Sequence, residues 1–236
     1  MRGDDPRPID WKSSARHEKL ITRLYEVERS QSIVFLLDAG RWMTAEIEGL
    51  TRFDRFLNAS LLLAQVASQR DDRVGAMVFD DRVRAFVPPS KGRACVERLL
   101  DAVLDVHPRL VESDYRRAFT ELAARHRKRS LLVLFTDVLS RDQSRILIEE
   151  CTRSAQRHLP LVVTLRDVGL DRIADGVPAN ASAAYEQAAA EDALLERDQA
   201  LAAMRAAGVH VVDVPPQHLA PAVVDRYLEL KARMLL

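Results

Sequence analysis

The stretch IVFLLDAGRWM, Ile33 to Met43, decides the fold. An uninterrupted apolar run leads straight into Asp38, then a glycine and a tryptophan. A strand covered by helices on both faces has no solvent side, so it reads as a continuous apolar run rather than an alternating one. In open α/β sheets, ligands gather at the carboxyl ends of such strands. Asp38 is therefore a carboxylate where this architecture puts its chemistry. Leu131 to Asp137 (LLVLFTD) repeats the arrangement and ends in Asp137. Two buried strands, each ending in an aspartate, point to a shared cation.

The rest of the chain is consistent with one soluble α/β unit. It has 236 residues, 47% of them hydrophobic and 30% charged, as in globular proteins. With 35 basic and 35 acidic residues, no net positive field argues for nucleic-acid binding. The one basic run, Arg125 to Arg129 (RHRKR), reads as a solvated helix end, where cations suit the helix dipole. Cys95 and Cys151 belong to no CxxC pair, which speaks against zinc and for reduced thiols in a cytoplasmic setting. No apolar run approaches the ~20 residues that span a bilayer. The opening MRGDDPRPIDWK is polar and dense in charge, and reads as the interior of a longer protein.

Periodicity lays out the elements. Leu20 to Val27 reads as a strand, pairing antiparallel with the Ile33 strand. Residues Ala45 to Gln69 carry apolar positions at helical spacing (Ile47, Leu50, Phe53, Leu57, Leu61). Arg73 to Phe79 and Arg82 to Val87 form a hairpin that Pro88-Pro89 ends. Helices are expected over Gly92 to Val106 and Asp114 to Arg127, the latter capped by Ser113. Further helix is expected over Arg141 to Arg157, Ala181 to Ala207 and Gln217 to Leu236, with strands at Leu161 to Leu165 and Val209 to Val214. Asp167 to Pro178 reads as irregular. Strands alternating with helices predict a doubly wound, mostly parallel sheet with helices on both faces and an antiparallel edge strand. Residues 1–32 form an N-terminal block and strand, and residues 33–236 the domain itself, in one structural unit.

The block RGDDPRPIDWKSSAR (Arg2 to Arg16), followed downstream by LLDAGRWM, resembles a large bacterial family catalogued as domain of unknown function fifty-eight. That family's core is similar to the von Willebrand factor A domain, and the resemblance runs from Arg2 to at least Leu165. Its members carry two transmembrane helices before this block, so the chain resembles the soluble portion alone, and a membrane would be met only through a missing N-terminal anchor. The resemblance also implies a partner: a MoxR-type AAA+ ATPase, or a client of one, in the maturation of protein complexes.

The same resemblance implies a metal-ion-dependent adhesion site built from Asp-x-Ser-x-Ser, a threonine and a third-loop aspartate. Asp38 matches the first aspartate, Ser113 the threonine and Asp137 the third-loop aspartate. Gly40 and Trp42 stand where the two serines belong, and Thr44 would have to bend inward to replace one. Magnesium prefers near-octahedral oxygen ligands, so this degenerate set implies weak Mg2+ binding at most. Partner contact is expected at Arg41, Trp42, Thr44 and Asp114, since exposed Trp and Arg make good interface anchors. The competing reading is a magnesium-dependent aspartyl phosphotransferase with Asp38 as nucleophile. It lacks the second acidic residue two positions on, where Gly40 stands. No GxSxG elbow, HExxH helix or phosphate loop is present, and the six histidines have no ligand spacing. A non-enzymatic interaction module is the expectation.

Overall fold

The computed structural model describes residues 30–140 and 144–233. The strand expected at Leu20 to Val27, and the charged block around Trp11, lie outside them. Six strands form the central sheet: β1 (Ser32–Asp38), β4 (Arg73–Phe79), β5 (Val83–Ser90), β6 (Leu131–Phe135), β7 (Leu159–Leu165) and β8 (His210–Val214). Their order is β5-β4-β1-β6-β7-β8, parallel throughout except for the antiparallel pair β4–β5 at one edge. The fold is the α/β sheet that the two apolar runs predicted. Both edges of β1 are taken, by β4 and by β6.

Helices cover both faces. On one side α1 (Arg52–Gln69), α2 (Ala94–Val103) and α7 (Leu219–Ala232) pack over Phe35, Leu37, Val133 and Phe135. On the other, α3 (Tyr115–Arg125), α4 (Arg145–Ser154) and α6 (Ala181–Ala206) pack over Val34, Leu36, Leu132 and Leu134. Alternate residues of β1 thus enter different cores, which is why Ile33 to Leu37 carries no polar position.

Several boundaries differ from the sequence reading, each for a local reason. The helix expected from Ala45 begins only at Arg52. A small hairpin precedes it, β2 (Glu46–Ile47) and β3 (Leu50–Thr51). Glu48 and Gly49 turn that hairpin at φ 51° and 79°, the left-handed pair that a tight two-residue turn requires. Thr51 then caps α1 in a reciprocal box with Asp54. Pro88-Pro89 does not end β5, which runs on to Ser90 along an irregular edge register. A Cβ on Gly75 would lie 2.6 Å from the Pro89 nitrogen, so only glycine admits the prolines there. The segment expected to be irregular contains α5 (Val168–Ala174), capped by Asp167. Asp114, not Ser113, caps α3, accepting from the Arg117 amide at 2.9 Å. Gly208, at φ 80°, closes α6 as expected.

One polar tie crosses the first face. Asp72, fully buried, accepts from the Gln31 amide at 2.9 Å, the Tyr227 hydroxyl at 2.5 Å and Lys231 Nζ at 2.9 Å, locking α7 to the turn before β4. Tyr227→Phe strips one donor from a buried carboxylate, and that desolvation is expected to cost ~1–3 kcal/mol. Urea denaturation should show a lowered midpoint with an unchanged slope.

Candidate functional site

The site forms where β1 and β6 end side by side. Their register pairs Leu37 with Phe135, so Asp38 emerges opposite Thr136, with Asp137 one residue further. The connection between α2 and α3 is stitched over this rim by backbone bonds. Arg109 N–H donates to the Ala39 carbonyl, Arg41 N–H to Val111 and Asp114 N–H to Asp80, each at 2.8 Å. Those three bonds carry Ser113 and Tyr115 to Asp38, which lies 75 residues upstream of Ser113.

Asp38 is 3% exposed. Its Oδ1 accepts from the Gly40 amide at 2.9 Å and the Ser113 hydroxyl at 2.5 Å; its Oδ2 accepts from Thr136 at 2.6 Å and Tyr115 at 3.0 Å. Tyr115 and Thr136 hydroxyls are themselves 2.8 Å apart. Burial pushes the Asp38 carboxyl above its usual range, and the hydrogen bonds from Ser113, Thr136, Gly40 and Tyr115 offset part of that rise. Tyr115 is pushed well above the ordinary phenol value, by burial first and by the Asp38 charge second.

Asp137 is satisfied differently. Arg52 and Arg197 both close on it, one guanidinium to each carboxylate oxygen. Arg197 also reaches Thr164 at 3.0 Å, the Leu165 carbonyl at 2.9 Å and Asp213 at 2.8 Å, joining α6 to the ends of β7 and β8. Arg52 makes a longer contact of 3.4 Å to Asp167. The Asp38 and Asp137 carboxylates meet at one rim, as the sequence reading required, but each is already served by donors of the chain itself.

The magnesium site implied by the resemblance can be tested against this donor set, and the fit is poor. The hydroxyls of Ser113 and Thr136 point their protons at Asp38, and two arginines supply the countercharge for Asp137. A Cβ at Gly40 would lie 2.1 Å from Ser113 Oγ, so a serine there would collide with the hydroxyl that now fills its place. Thr44 does not bend inward: its hydroxyl donates to the Arg41 carbonyl at 2.7 Å, which corrects the expected substitution. Among the described residues, no group of three or more His, Cys, Asp or Glu is arranged to hold a metal ion.

Of the expected contact residues, Arg41 and Trp42 stand exposed on the short 3-10 turn Arg41–Thr44. The Arg41 guanidinium lies 4.6 Å from the Trp42 ring and pairs with Glu112 at 2.7 Å. Asp114 is exposed beside them. Tyr115, Thr136, Arg52 and Arg197 were not singled out from sequence. Thr136 was findable, since the residue before Asp137 must face Asp38 once β1 and β6 are adjacent. Arg52 and Arg197 carry no local sign, lying in ordinary helices far along the chain.

A mostly parallel six-stranded sheet, helices on both faces and a loop rim at the carboxyl ends of its strands define a von Willebrand factor A-like domain. Solved structures agree on the fold. The chain is similar to an aerotolerance-related membrane protein from Bacteroides fragilis (12% identity, 85% of this chain and 99% of that one, TM-score 0.57). It is also similar to the conserved hypothetical protein BatB from Bacteroides thetaiotaomicron (12%, 86% and 100%, TM-score 0.51) and to the SpRpn10 VWA domain (17%, 82% and 94%, TM-score 0.50). No curated protein matches. The chain belongs to the family described as protein of unknown function DUF58, whose model matches residues 1–194. Among the described residues, no helix is long and apolar enough to cross a membrane.

Arg197→Ala would leave the buried Asp137 and the half-buried Asp213 with fewer countercharges, and breaking such a network costs ~3–5 kcal/mol. A thermal melt should show that loss. Asp38 yields a pH test. Its folded carboxyl holds its proton to higher pH than the unfolded chain's, whose reference value is 3.8, so stability falls as pH rises from there through the folded value. Asp38→Asn removes that term, so its stability relative to the parent should improve as pH rises above the unfolded value, read in denaturant titrations.

Proposed function

We propose that this chain is a non-enzymatic protein-interaction module whose rim works without a bound cation, and that its partner is a MoxR-type AAA+ ATPase or a client of one, met in the cytoplasm. The observation that carries the reading is the division of labour at the rim. The two aspartates are consumed internally, whereas Arg41 and Trp42 stand stacked and exposed beside them. An exposed Trp–Arg pair is rigid, amphipathic and of the residue types that dominate interface energetics. Glu112, paired with Arg41, and Asp114 add acidic groups from the α2–α3 connection. The ATPase assignment rests on the family resemblance; the rim supplies only the surface.

The competing phosphotransferase reading finds less support. A nucleophilic carboxylate needs an oxygen open to substrate, and Asp38 is buried with two donors on each oxygen.

The test is association with a purified MoxR-type ATPase. Trp42→Ala should weaken binding by about 2 kcal/mol, roughly thirtyfold, with an unchanged melting temperature. Chelation by EDTA should leave binding intact, and added magnesium should not raise the melting temperature. Association that requires magnesium, or that ignores Trp42→Ala, would sink the proposal.

A further inference from the structure

Beside Trp42, where β6 and β7 end, α5 and α6 wall off a cavity of about 290 Å³. Its apolar lining comes from Trp42, Val138, Leu139, Leu165, Leu170 and Leu194. Pockets for small ligands run to ~300–1,000 Å³, so this one is at the scale of a single anchoring side chain. Arg52 and Arg197 also line it, yet both guanidinium charges are spent: Arg197 on Asp137 and Asp213, Arg52 on Asp137 and Asp167.

Among the described residues, the charge left at the mouth is negative. Asp167 has a side chain 44% exposed, and Glu196 is exposed on the α6 wall. Asp192, exposed one turn before Glu196, extends the acidic face along α6, and neither Glu196 nor Asp192 makes an ion pair among the described residues. Arg52 lines the cavity at 9% exposure, and its buried Nε–H has no acceptor among the described residues.

We propose that this cavity receives an apolar side chain from a lysine- or arginine-rich segment of a protein partner. The flanking cations meet Asp167 and Glu196. The inference rests on the rim being an interaction surface and names the chemistry of what docks there. The apolar walls exclude a bare cation as the occupant, and the acidic mouth repels an acidic segment.

The experiment uses the full chain carrying Trp11→Phe, so that Trp42 is the sole tryptophan reporter. Three amidated peptides are titrated: one with a central phenylalanine between paired lysines, the same with serine for phenylalanine, and the same with glutamates for lysines. The phenylalanine–lysine peptide should bind about tenfold more tightly than the serine one, as expected for burying one aromatic side chain. Ala193→Phe, which fills the cavity from an exposed helix position, should erase that difference while leaving the melting temperature unchanged. Glu196→Gln with Asp192→Asn should weaken both lysine peptides severalfold, more at low salt than at high. Equal binding of the serine and phenylalanine peptides, indifference to Ala193→Phe, or preference for the glutamate peptide would each overturn the inference. If these fail while Trp42→Ala still weakens the ATPase, the cavity alone is refuted and the rim reading stands.

Discussion

A carboxylate taken out of water must be neutralised or fully hydrogen-bonded, and the rim of this domain meets that demand twice by different means. Asp38 is wrapped in hydroxyls and one amide; Asp137 is clamped between two arginines. The elements near the rim are held by those choices. Ser113 and Tyr115 bind the α2–α3 connection to β1, and Arg197 binds α6 to β6, β7 and β8. Remove either carboxylate and the loops lose their common anchor.

The glycine at position 40 shows how closely the two halves of the rim are matched. It accepts no side chain because Ser113 Oγ already occupies the space where a Cβ would project. Ser113 brings a hydroxyl from the α2–α3 connection to Asp38 and turns it inward as a donor. The outward face of the same turn is left to Arg41 and Trp42, where charge and aromatic surface meet solvent. The cavity next to Trp42 continues that surface towards α6, so one continuous stretch of the rim carries the exposed aromatic, the apolar recess and the acids of its mouth.

The sequence was most informative where the physics is local. The apolar runs at Ile33–Leu37 and Leu131–Phe135 could only be strands buried on both faces, and both are. Gly208 and the alanine-rich stretch before it ended α6 where glycine chemistry says it must. Helical spacing misled at Ala45 to Thr51, because a period of apolar positions cannot distinguish a first helical turn from a short hairpin. The Glu48-Gly49 turn and the Thr51–Asp54 capping box were the better signals there. Pro88-Pro89 misled for a similar reason: proline is barred from central strands but admitted on an edge, and edge position is not written locally.

By itself the sequence determined the parallel sheet, the two strand-end aspartates, and the exposed arginine and tryptophan that follow the first of them. These depend on burial periodicity and on neighbours a few residues apart. Only the tertiary structure decided who satisfies those aspartates. Arg52, Tyr115 and Arg197 reach them from helices separated by many tens of residues, through packing that no short-range pattern encodes. The chemistry of the rim was therefore fixed by contacts across the fold, because the partner of a buried charge is chosen by geometry in space and not by position along the chain.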